Sequence, residues 1–97
     1  MTVKELIAER GNLCEICHKR QATEAHHCLY RRDIHVPMLN QKENLQLVCR
    51  VCHGDGSADS WKNRVSFWNE QVKRYGYEHM CDWHDRVPYK IKQRFTD

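Results

Sequence analysis

A chain of 97 residues is the size of one domain, and so small a core is seldom secure without a metal, disulfides or association. Sixteen Lys and Arg against thirteen Asp and Glu leave a net charge of only +3, so total charge hardly argues for a nucleic-acid partner, and no run approaches the ~18 apolar residues of a membrane span. The first twelve residues carry charges throughout and lack the apolar stretch of a signal peptide, which points to the cytoplasm and makes the six cysteines metal ligands before disulfides.

In chain order, Thr2 followed by Glu5 has the form of a capping box, and Gly11 closes a stretch with Val3, Leu6 and Ile7 on one side, so a short helix is expected over 3–10. A tight turn joins Cys14 to Cys17. Residues 22–29 suit a strand, 30–43 read as a loop containing Pro37 and Asn40, and the alternation of Leu45, Leu47 and Cys49 predicts a second strand. The clearest helix follows Gly54 and Gly56, with Ser57 or Asp59 as N-cap and Gly76 as its stop. Trp61, Val65, Trp68, Val72 and Tyr75 form a stripe at helical spacing, read as core rather than as base-stacking platforms. Beyond Tyr77 the pattern weakens: Asp82, Trp83 and Pro88 suggest a turn, and 89–95 a basic helix. The chain reads as a single domain, 1–97, with its working part at about 12–76 and a C-terminal extension over 77–97.

The charge is unevenly distributed. Residues 62–74 hold Lys62, Arg64, Lys73 and Arg74 against Glu70 alone, and 86–94 hold four basic residues and no acid. On their own such runs are as readily solvated faces as binding surfaces.

Cys14 and Cys17, and Cys49 and Cys52, are two pairs each separated by two residues. That spacing lets both sulfurs of a pair reach one ion, and two pairs complete the tetrahedral four-sulfur shell of structural zinc. Such a shell has no open position for water, and its binding energy is folding energy. A rival reading exists because His18 and His53 follow the pairs: each Cys-x-x-Cys-His also matches a c-type haem attachment site, so a dihaem cytochrome is formally allowed. Cys28 and Cys81 have no partner pattern and read as small buried hydrophobes.

The pairs are separated by residues 18–48, more than a simple zinc ribbon needs, and this insertion contains His26 and His27. Adjacent residues of a strand face opposite ways, so one ring can hold a metal while the other serves a substrate. Here the sequence resembles the HNH endonuclease family: the pair His26-His27, Asn44 in an Asn-Leu context before Cys49, His53 beside the second cysteine pair, and Arg31 four residues past the histidines. The match spans about 14–53.

The resemblance implies an α+β fold with a ββα-metal core stapled by the four-cysteine zinc site and flanked by N- and C-terminal helices. It implies a nuclease that hydrolyses DNA to 5′-phosphate and 3′-hydroxyl ends. His27 would be the general base, His26 and His53 ligands of a catalytic divalent metal, and Asn44 the residue that holds the loop and the base in place. An imidazole, with an ordinary pKa near ~6.5, suits that task at neutral pH. His26 stands where many relatives have Asp, which favours Mn, Ni or Zn over Mg. A third protein ligand found in some relatives has no counterpart, because the residue four before His53 is Cys49. Arg31, Arg32, Lys62 and Arg64 are candidate phosphate contacts. The alternative is a zinc-stapled DNA-binding module without catalysis. The lack of a separate recognition domain suggests weak specificity or targeting by a partner protein, and a phage-encoded member would act in the host cytoplasm.

Overall fold

The N-terminal capping box forms: Glu5 N–H donates to Thr2 Oγ1 at 3.2 Å, and Thr2 N–H to Glu5 Oε1 at 3.0 Å. These bonds satisfy amides that a helix start leaves without partners. They open α1 (Val3–Arg10) in the computed structural model, which describes residues 1–93 and Phe95. Gly11 ends the helix at φ +90°, where a side chain would strain the backbone. The described residues continue through β1 (Glu24–His27), β2 (Leu45–Val48), α2 (Arg50–Gly54), α3 (Trp61–Tyr75) and α4 (Tyr77–Asp85), with short 3-10 turns among them, an α+β arrangement.

β1 and β2 pair antiparallel, with Ala25 opposite Leu47, His26 opposite Gln46 and His27 opposite Leu45. Two strands alone are marginal in water, so their faces need cover. On one face Leu45 and Leu47 pack with Ala22 and with Leu6 of α1. On the other, Gln46 Nε2 donates to Asn63 Oδ1 of α3 at 3.1 Å. Glu15 covers the outer edge of β2: its N–H donates to Leu47 O at 2.8 Å, and its Oε1 accepts from Leu47 N–H at 3.1 Å. All four residues of β2 are therefore buried, and the alternation ends at Val48 because Cys49 is already the N-cap of α2. The first strand is likewise shorter than expected, with Ala22 and Leu29 flanking it.

The largest core cluster joins Leu29, Tyr30 and Leu39 to Phe67 and Trp68 of α3 and to Met80 and Trp83 of α4. Three expectations need correction here. The N-cap of α3 is Ser60, whose Oγ accepts from Asn63 N–H at 3.0 Å; Ser57 and Asp59 form the preceding 3-10 turn. The apolar stripe is rotated, with Phe67, Trp68 and Gln71 buried and Trp61 51% exposed. The cause is polar: Gln71 Nε2 donates to the carbonyls of Lys42 and Glu43, both at 3.0 Å, and draws its own flank inward.

The third correction is the tail. Trp83 lies in α4 and is fully buried, so the chain turns only after Asp85. The basic helix expected at 89–95 shrinks to one 3-10 turn, Tyr89–Ile91, after which Lys92 is extended; Arg94 lies outside the described residues. The chain leaves the helical path because Gln93 N–H is bound by Tyr30 Oη at 2.7 Å, while Phe95 stacks on Trp61 and Trp68. No described helix is long and apolar enough to cross a membrane.

Candidate metal centres and the histidine pocket

Cys14 and Cys17 lie on a turn whose ends are held by Cys14 N–H to Arg20 O and His18 N–H to Cys14 O. Cys49 and Cys52 occupy the N-cap and first turn of α2. Val48 packs among the cysteines, and the four sulfurs come within 4.8 Å of one another. A tetrahedral zinc site with Zn–S near 2.3 Å has edges of about 3.8 Å. Cys17 and Cys49 sulfurs are 4.0 Å apart, so the residues fit the ion.

The surrounding backbone favours thiolate. Ile16 N–H donates to Cys14 Sγ and Cys52 N–H to Cys49 Sγ, each at 3.4 Å. The amides of Arg20 and Lys19 hold the Cys17 thiol down to about 6, the amide of Cys52 lowers Cys49, and burial pushes Cys52 up to about 12. Four sulfurs this close cannot all ionise without a cation, and a dication removes that penalty. Two covalent haems would need two separate attachment points, whereas these pairs share one centre. Cys28 stands apart, buried, with burial raising its thiol to about 12, and behaves as the small hydrophobe its lack of pattern suggested, whereas Cys81 is only half-buried.

A second group of residues converges across the free edge of β1. A pocket of about 180 Å³ is lined by His26 and His27 of β1, His53 of α2 and Asp59 of the turn before α3, with Arg31, Arg32 and Arg64 at its margin. The rings of His26 and His53 are 5.0 Å apart. His26 Nε2 lies 3.0 Å from Ala58 O; a carbonyl only accepts, so this nitrogen carries hydrogen and Nδ1 keeps the lone pair. His53 Nδ1 faces Glu24 Oε1 at 3.1 Å, which leaves its Nε2 lone pair free in the same way. Burial lowers the pKa of His26, so the neutral, metal-binding form is favoured at neutral pH. Among the described residues, no third ligand closes with these two rings into a cluster as tight as the cysteines; the Asp59 carboxylate is 3.7 Å from His26 Nε2 and largely exposed.

His27 borders the same pocket from the other side of β1 and turns its Nε2 to Asn40 Oδ1, 2.7 Å away. With Oδ1 accepting, Nε2 holds the proton and Nδ1 is the basic nitrogen.

No family model, curated protein or solved structure matches the chain.

Of the residues singled out in the sequence, the pocket brings together His26, His27, His53, Arg31, Arg32 and Arg64. Asn44 lies behind it, fully buried: Oδ1 accepts from the amides of Leu29 and Tyr30 at 2.9 Å, and Nδ2 donates to the carbonyls of Tyr30 and Leu39 at 2.8 Å. Lys62 is placed elsewhere, in a separate depression with Glu15 and His18. Sequence reasoning misses Glu24 and Asn40. Along the chain Asn40 reads only as a loop former, and nothing local ties it to a histidine thirteen residues earlier.

Proposed function

We propose that this protein is a metal-dependent DNA endonuclease of the HNH type, in which β1, β2 and α2 serve as the ββα-metal unit and the four-cysteine zinc site as its staple. The observation that carries the reading is the His26–His53 pair. Two imidazoles 5.0 Å apart each commit one nitrogen to a fixed acceptor and keep the other for an ion. Metal-binding histidines are characteristically oriented in this way.

His26 and His53 would hold the catalytic ion, and imidazole ligands favour Mn, Ni or Zn over Mg. When bound, such an ion polarises the phosphodiester and stabilises charge on the leaving oxygen. The protein's own contribution begins with Arg31, Arg32 and Arg64, whose guanidiniums suit phosphate oxygens and bring the backbone to the pocket. His27 takes the proton from the attacking water on Nδ1, while Asn40 holds the ring by its Nε2–H. Asn44 acts at one remove, fixing the segment that follows His27.

The test is relaxation of supercoiled plasmid by the purified protein on addition of Mn, Ni or Mg. Cutting should stop with EDTA at a level that leaves the zinc content unchanged. Failure to cut with any of these metals, together with retained DNA binding, would leave a zinc-stapled binding module in place of an enzyme.

A further inference from the structure

Beside the histidine pocket, and sharing Arg31, Arg32 and Arg64 with it, lies a larger cleft of about 460 Å³. Residues 29–33 line one of its walls and residues 90–93 another. Tyr30 joins those walls: its hydroxyl accepts from Gln93 N–H at 2.7 Å and lies 2.6 Å from His84 Nε2. Just beyond, Phe95 is 3% exposed and stacks on Trp61 and Trp68. The C-terminal segment is thus built into the molecule, which gives the cleft a defined shape.

Five cations line it: Arg31, Arg32, Arg64, Lys90 and Lys92. None makes an ion pair among the described residues. Among the described residues that line it, the single acid, Asp33, accepts from His35 N–H at 2.8 Å within its own turn. Lys92 Nζ donates one hydrogen bond to Asp85 O at 3.2 Å and keeps two further N–H donors. Among the described residues, Arg64 Nε is buried without a partner. Crowded like charges raise the energy of the free protein, and a bound anion relieves them. Arg31, Arg32 and Arg64 also border the histidine pocket, so the two depressions adjoin.

We propose that this cleft is a phosphate-backbone subsite, so that a nucleic-acid strand meeting His26, His27 and His53 runs on past Arg64 to Lys90 and Lys92. The direction of that path rests on the nuclease reading; the cleft's affinity for a nucleic-acid backbone does not.

The experiment measures binding of a labelled DNA duplex by fluorescence anisotropy across a KCl series, without divalent ions. The Lys90→Ala/Lys92→Ala variant should lower the slope of log K against log salt by about 1.8, twice the ~0.9 for each phosphate neutralised on duplex DNA. Lys90→Ala alone, which removes an exposed side chain and so spares the fold, should lower it by about half as much. Lys73→Ala, on the solvent face of α3 beside Glu70, should not change it. An unchanged slope in both cleft variants overturns the subsite while leaving plasmid cutting, and hence the nuclease reading, free to stand. A lowered slope in a protein that never cuts supports the subsite and removes the nuclease. If polyglutamate displaces the DNA as well as unlabelled DNA of equal charge does, the cleft recognises acidic protein and the proposal fails.

Discussion

Glu24 Oε1 lies 3.1 Å from His53 Nδ1, bridging β1 to α2. The contact fixes the tautomer of His53 and aims the ring, which is how a carboxylate behind a metal ligand raises affinity. Glu24→Ala should raise the divalent-ion concentration for half-maximal plasmid nicking by ~10–100-fold, with the rate at saturating metal little changed. The two side chains are 35% and 38% exposed, so the contact itself should contribute little stability and the melting temperature should stay near that of the parent. An unaltered metal requirement would show that His53 is not a ligand.

Metal analysis should find about one tightly held zinc per chain, because four sulfurs within 4.8 Å form one closed shell. Cys14→Ser should lose that zinc together with cooperative thermal unfolding, since the binding energy of the ion is folding energy here. Cys28→Ala removes an equally buried sulfur outside the shell and should keep full zinc stoichiometry. Zinc retained in the Cys14 variant would disprove the four-thiolate site.

What could be read from the sequence was what depends on near neighbours. Thr2, Glu5 and Gly11 define α1 because caps act over three or four residues, and the cysteine pairs converge because each pair is a local turn. What could not be read depended on surfaces meeting. Met80 and Trp83 make sense only against Phe67 and Leu39, so α4 had no visible pattern. Gln71 is polar yet buried because carbonyls at Lys42 and Glu43 need donors, a demand invisible along α3 itself. Lys62 and Arg64 do not share one depression, for a reason that the sequence does contain. Two residues apart on a helix means about 200° of rotation, which sends the side chains to different faces.

Asn44 is a structural keystone, its side chain holding four buried backbone groups. Asn44→Ala would strand two amides and two carbonyls in a buried place. At ~1–3 kcal/mol for each unsatisfied group, partly recovered by relaxation and water, a loss of about 3 kcal/mol is expected. In a domain of this size that lowers the melting temperature by roughly 15 °C. Denaturant titration of the zinc-loaded variant checks it, and a change under about 1 kcal/mol would mean that the network is not formed in solution.

His84 gives the fold a dependence on acid. Burial, with Lys92 nearby, lowers its pKa below the ordinary value, and Tyr30 Oη lies 2.6 Å from its Nε2. The folded state then holds fewer protons than the unfolded chain between the lowered value and ~6.5, so stability rises with pH across that window and is lost as pH falls through it. Melting temperatures measured between pH 7.5 and pH 5 should decline, and His84→Gln should flatten the decline. The same slope in the variant would assign the acid sensitivity to other groups, His26 first among them.

The decisive comparison concerns His27 and Asn40, because a general base has no use in a protein that only binds. His27 is not one of the proposed metal ligands and is only half-buried, so His27→Ala should leave zinc content, melting temperature and DNA affinity close to the parent. Cleavage should nonetheless fall by ~10²–10⁴, the usual contribution of a positioned base. Asn40→Ala leaves the imidazole in place but removes the oxygen 2.7 Å from its Nε2. The ring can then turn and adopt either tautomer, so the rate should fall by less, on the order of tenfold, with the divalent-ion requirement unchanged. His26→Ala should differ in kind, raising the metal concentration needed as well as slowing the reaction. Plasmid nicking across a metal titration separates the three outcomes. Equal rates for His27→Ala and the parent would remove His27 as the base. A rise in metal requirement for Asn40→Ala would mean that Asn40 and His27 belong to the metal site instead.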